Sequence, residues 1–230
     1  MAHIREILLK DYFIEYCKFF YIENQVALIE GRNFFLIYLF FDVLSDIENR
    51  FVDMDKCKEK VKILKLSVDT FISCTKMKYP FVVQKFDNCN LLKKLTNQNF
   101  IQKFNNSTNT IFQEFYIMYS NLSSYKDREI IEELLIEFNN YLSHFVKYML
   151  DVNLSSGYSH LYRACLDGYK DIILENNIIL ISDKDAISKF ITLRIEETDN
   201  IGNGEEDKLF VLQKYREISE NLLTIYQCDS

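Results

Sequence analysis

Apolar residues return every three or four positions along most of this chain, the spacing of one face of an α-helix. Between residues 4 and 20 the stripe runs through Ile7, Leu8, Tyr12, Phe13, Tyr16 and Phe19 and predicts a first helix. Glu23-Asn24 then reads as a polar interruption. From Val26 to Leu44 apolar residues are almost continuous, which predicts a buried helix kinked near Gly31. A strand there would need bounding turn residues, and they are missing. Residues 56–77 carry Val61, Leu64, Val68, Phe71 and Ile72 on one amphipathic face, and Pro80 marks the end of that helix. Helix resumes near Thr110 with Ile111, Phe112, Phe115 and Met118, after an Asn-rich loop at residues 105–109. Asn121-Leu122-Ser123-Ser124 reads as a turn and N-cap. The stripe Ile131, Leu134, Leu135, Phe138, Leu142, Phe145 and Met149 is the strongest in the chain and predicts a central helix over 128–150. Ser155-Ser156-Gly157 breaks it, and helix returns from Tyr158 to Leu174. Ser182-Asp183 suits an N-cap, residues 200–204 a loop, and 206–226 a last helix.

Composition supports the same class. The chain has five glycines and one proline in 230 residues, too few for the closely spaced turns of a sheet protein. Hydrophobic residues make up 48%, enough to bury a sizeable core. The fold class expected is therefore all-α. A net charge of −7 disfavours nucleic acid as a partner. The lysine-rich stretch from Lys56 to Lys62 is amphipathic and reads as a solvated helix face more readily than as a phosphate or lipid patch. Six cysteines without a C-x-x-C pair point to free buried thiols in a reducing cytosol. The most apolar run, Phe34 to Phe41, is too short to span a bilayer.

Candidate chemistry is sparse. The three histidines form no metal-binding spacing, and the chain has no H-E-x-x-H. The segment Asp199 to Phe210 has the outline of a calcium loop, but Ile201 and Phe210 stand where ligands are needed. Gly202-x-Gly204 lacks the third glycine of a dinucleotide fingerprint. No catalytic residue, metal ligand or cofactor site is assigned, and the chain is expected not to be an enzyme.

Three ordered segments resemble the regulator of G-protein signalling (RGS) family. They are Tyr12 to Lys18 with Ile22-Glu23-Asn24, Asn121 to Ile130, and Phe145 to Leu150 followed by Ser156 to Tyr162. Leu28 stands where that family's core helix usually has Trp, Ser156 where its last signature has Asp, and His160 where it has Arg. The resemblance implies a nine-helix bundle over residues 1–175, with 45–108 as a helical insertion. Residues 176–230 would form a helical extension packed on that bundle. It implies a cytoplasmic protein without a transmembrane segment, brought to the membrane through its partner. That partner is the activated α subunit of a heterotrimeric G protein (Gα), whose GTP hydrolysis the domain accelerates by positioning the switch regions. The residues implied in partner binding are Glu23, Asn24, Asn121, Ser156 and His160. Asn24 and Asn121 equally suit helix N-caps. The alternatives are a Bcl-2-like bundle that takes an amphipathic helix in a groove, and an RGS-like scaffold without GTPase-activating function.

Overall fold

The computed structural model describes residues 2–49, 52–87, 109–125, 132–149, 155–199 and 205–229. Among these, every regular element is a helix, which places the protein in the all-α class. The helices are α1 (Ala2–Glu30), α2 (Phe34–Glu48), α3 (Met54–Lys78), α4 (Pro80–Asp87), α5 (Asn109–Tyr125), α6 (Glu132–Met149), α7 (Ser155–Glu175), α8 (Asn177–Ser182), α9 (Lys184–Asp199) and α10 (Glu205–Asp229). No helix among the described residues is long and apolar enough to cross a membrane. The chain divides into two compact units, Met1–Thr108 with Phe138–Gly157, and Asn109–Glu137 with Tyr158–Ser230.

In the first unit α1 packs on α2, α3 and α4. Its inward stripe does not stop at residue 20. It continues through Ile22, Glu23 and Val26, all buried. The interruption expected at Glu23-Asn24 is therefore absent, and a single helix runs to Glu30. The break comes at Gly31, whose φ of +82° suits a residue without a Cβ and whose N–H bonds to the Ala27 carbonyl at 3.0 Å. Asn33 then caps α2 by accepting from the Leu36 N–H at 3.1 Å. Asp53 caps α3 through the Asp55 N–H at 2.9 Å, and Pro80 opens α4 at the position where its missing N–H costs nothing.

Aromatic rings fill this unit. Phe40 of α2 meets Tyr12 and Tyr16 edge-on, with centroids 5.4 and 5.2 Å away, and Phe13 meets Phe145 at 4.7 Å. The tyrosines bring hydroxyls into this apolar core. Tyr12 donates to the Phe40 carbonyl at 3.0 Å, and the Tyr16 hydroxyl lies 2.9 Å from both the backbone and the side-chain oxygen of Asn139. From α3, Cys57, Leu64 and Val68 are fully buried. The helical part of the stretch read as an insertion thus completes the core of this unit instead of lying beside it.

The second unit buries Phe112, Phe115 and Met118 of α5, Leu134 and Leu135 of α6, Leu161, Cys165 and Tyr169 of α7, and Val211, Leu212 and Tyr215 of α10. A Cβ on Gly168 would meet the Met118 sulfur at 2.1 Å, so the missing side chain admits α5 against α7. Glu114 is buried and accepts from the Tyr169 hydroxyl at 2.6 Å and the Arg216 guanidinium at 2.9 Å. Asn121 to Ser124 lie inside α5, so the turn expected there is helix. Ser155-Ser156-Gly157 likewise form the first turn of α7, where a break was expected. Asp183 caps α9 as expected, accepting from the Asp185 and Ala186 N–H groups. The boundary expected at residue 175 lies within this second unit. The loops expected at residues 105–108 and 200–204, and residues 88–108 of the insertion, lie outside the described residues.

The Tyr16–Asn139 contact gives the first prediction. Tyr16→Phe strands buried acceptors on Asn139 and should lower unfolding free energy by about 1–3 kcal/mol in urea titration. Pairing it with Asn139→Leu should recover part of that loss, since the buried side-chain acceptor is then removed together with its donor.

Candidate functional site

Glu23 and Asn24 are neighbours on α1 with opposite surroundings. One residue of helix is a rotation of roughly 100°, so Glu23 turns inward while Asn24 turns to solvent. The Glu23 side chain is 1% exposed and accepts from the Arg32 guanidinium at 2.7 Å, and Arg32 remains 34% exposed. This pair folds the chain that follows Gly31 back onto α1 and fixes the corner between α1 and α2. Burial pushes the Glu23 carboxyl up, and Arg32 and the Asn33 backbone N–H pull against that rise. Leu28, at the position the RGS resemblance assigns to a core Trp, is 99% exposed.

The corner opens into a cleft of about 380 Å³, lined among others by Glu23, Glu30, Arg32, Cys74, Lys78 and Tyr79. Glu30 closes one side of it. It accepts from Lys78 at 2.8 Å and from the Tyr79 hydroxyl at 2.6 Å, which ties the end of α1 to the end of α3. The Lys78 hydrogen bond, then that from Tyr79, holds the Glu30 carboxyl below its ordinary value. The charges cancel in two pairs, Glu23 with Arg32 and Glu30 with Lys78. The cleft is mixed in character, with Val26 and Phe71 supplying apolar wall and an exposed thiol at Cys74.

The other candidate residues lie on other helices. Ser156 lies in the first turn of α7, within the first unit. Asn121 and His160 belong to the second unit. Asn121 sits within α5, with its amide 3.5 Å from a carboxylate oxygen of Glu220. His160 is half-buried one helical turn after Ser156, and its Nδ1 is hydrogen-bonded to Glu137, which Arg163 also approaches at 3.4 Å. Neither Asn24 nor Asn121 caps a helix, because α1 and α5 run through them. Among the described residues no group of three or more His, Cys, Asp or Glu side chains is placed to hold a metal ion.

Sequence reasoning singled out Glu23 but not its partner. Arg32 is nine residues away and across a helix break, a separation with no periodic signature. Lys78 and Tyr79 carried a weak signal, since they precede the proline that marked the helix end. Comparison with protein-family models, with curated proteins and with solved structures finds no match.

The Glu23–Arg32 pair yields an asymmetric prediction. Arg32→Met leaves a carboxylate buried without its cation and should destabilise by up to about 3–5 kcal/mol, less whatever solvent screening already removes from a partly exposed pair. Glu23→Gln should cost less, because Arg32 can turn to water. A carboxyl whose folded pKa lies above its unfolded value loses stability as pH rises between the two. The Arg32→Met deficit should therefore be largest at neutral pH and shrink on acidification as Glu23 takes up its proton. Denaturant melts from pH 7 down to pH 4 measure this directly.

Proposed function

We propose that this chain acts by binding another protein, and that the partner is the activated Gα subunit, whose GTP hydrolysis it accelerates without an active site of its own. In this reading the helices form an RGS-type bundle that takes α3, from the 45–108 stretch, into its core and is extended after residue 175. The observation that supports it best is the setting of Asn24. An amide that positions a partner's reacting groups must be solvent-accessible and must not itself reorganise. Asn24 is exposed on α1, and its backbone is held from both sides of the helix register by buried Ile22, Glu23 and Val26. Its amide offers a donor and an acceptor from one planar group, which suits bridging two switch residues. Asn121 is the second amide assigned to the partner, with Ser156 and His160 in the supporting roles that the family fills with charge.

The test is a pull-down with Gα loaded with GDP alone or with GDP and aluminium fluoride, followed by single-turnover hydrolysis. Preference for the fluoride form and faster hydrolysis are expected; binding without acceleration would mean a scaffold of the same fold. Asn24→Ala should reduce stimulated hydrolysis by roughly two orders of magnitude, the effect of losing a transition-state hydrogen bond worth about 2.7–4 kcal/mol. Because Asn24 is an exposed mid-helix residue, the same change should leave the melting temperature unchanged or slightly raised, alanine being the better helix former. Unchanged hydrolysis in Asn24→Ala would remove the residue on which the reading depends.

A further inference from the structure

The outward face of α3 carries a second apolar stripe. Cys57, Val61, Leu64 and Val68 point into the core. Two residues further along a helix is roughly 200° around it, so Leu66 points away from Leu64. Ile63, Leu66, Thr70, Ser73 and Met77 follow one another at alternating steps of three and four, the spacing of a helix-pairing seam. Ile63, Leu66 and Met77 are 50%, 69% and 79% exposed. The two hydroxyls in the middle do not face outward as free polar groups. Thr70 donates to the Leu66 carbonyl and Ser73 to the Asp69 carbonyl, each at 2.8 Å, which leaves the Thr70 methyl and the Cβ atoms in the seam.

Charged residues flank the same face, although the net +4 of α3 belongs to the whole helix: Lys60 pairs with Asp42 and Asp46, and Lys78 with Glu30. Along one flank of the seam, at successive seven-residue steps, stand Lys62, Asp69 and Lys76. Among the described residues Lys62 pairs with Glu59, in an exposed contact at 3.2 Å, and Lys76 forms no ion pair. The pattern along the flank is plus, minus, plus.

We infer that this face of α3 docks an amphipathic helix of a partner protein, whose flank carries acidic, basic and acidic residues at seven-residue steps. The charge pattern selects this occupant over an anionic membrane. A lipid surface would gain from Lys62 and Lys76 but would be opposed by Asp69 at the centre, whereas a helix can answer each of the three charges in register. The width agrees, because a seam of alternating three- and four-residue steps is narrower than the broad apolar face that an interfacial helix buries in lipid. The surface does not involve Asn24 and stands apart from the Gα reading.

The probe is a helical peptide with Leu at the seam positions and Glu, Lys, Glu along its flank, titrated against the full chain beside a twin with Lys, Glu, Lys. The first peptide should bind about tenfold or more tighter than the second, with a preference that weakens as salt rises. Leu66→Glu should abolish binding with little change in melting temperature, since Leu66 is 69% exposed. The triple exchange Lys62→Glu, Asp69→Lys, Lys76→Glu should invert the preference between the peptides. Equal binding of both peptides, or binding of neither, overturns the proposal. It is also overturned if anionic vesicles containing phosphatidylserine bind in place of the peptides. A dimer of the protein alone that Leu66→Glu dissolves would give the face to a second copy, and overturns it as well.

Discussion

A hydroxyl or carboxylate taken out of water must find its hydrogen-bond partner inside the protein, and an unmet one costs on the order of 1–3 kcal/mol or more. This chain carries such groups on the very faces that its helices bury. Tyr16 sits among rings in the first unit and turns to Asn139, 123 residues later. Glu114 sits among Phe112, Phe115 and Met118 in the second and is met by Tyr169 and Arg216. Glu23 continues the apolar stripe of α1 and is met by Arg32. Apolar contacts alone would tolerate one helix sliding or turning against another by part of a residue. A buried polar pair does not, because a small shift leaves both members desolvated and unpaired. These contacts therefore set the register in which the aromatic surfaces meet, and Phe40 can serve Tyr12, Tyr16 and Phe19 together only in that register.

The surface features follow from the same constraint. Because Glu23 is held inward by Arg32, its neighbour Asn24 faces outward. The pair also sets the corner after Gly31, and the cleft at that corner is lined by Glu30, Lys78 and Tyr79. Helix α3 joins both arrangements. Its inner stripe completes the core of the first unit, its C-terminal turn lines the cleft, and its outer stripe stays in solvent, flanked by Lys62, Asp69 and Lys76. A helix anchored along one face can present the opposite face as a rigid template, which keeps the ordering cost of any association low.

How much could be read in advance depended on the type of signal. The stripes of α3, α5 and α6 were legible because each rests on local periodicity, that of α10 in part, with Val211, Tyr215 and Leu222 buried but Ile225 exposed, and Asp183 was legible as a cap because capping is a matter of two or three residues. The errors share one cause. Glu23, Asn121 and Ser155-Ser156-Gly157 were read as breaks because polar and small residues favour turns when nothing else acts on them. In the folded protein Glu23 is buried against Arg32, Asn121 meets Glu220 from α5, and Ser155 to Gly157 are carried into α7. For Glu23 and Asn121 a tertiary contact outweighed a local preference worth only tenths of a kcal/mol.

By itself, then, the sequence determined the class of the protein. Few glycines, one proline and a nearly unbroken three-to-four-residue apolar spacing leave helices as the only regular structure that can bury so much aromatic surface. It also determined which face of most helices turns inward, since that too is written in local spacing. Only the tertiary structure decided that Glu23 is buried and Asn24 exposed, that Gly31 and not Asn24 ends the first helix, that α3 belongs to a core, and that Leu28 belongs to none. Those outcomes depend on which distant side chain arrives opposite each residue, Arg32 for Glu23 and Asn139 for Tyr16. No local pattern records such a meeting, because its energy exists only once water has been removed from both partners together.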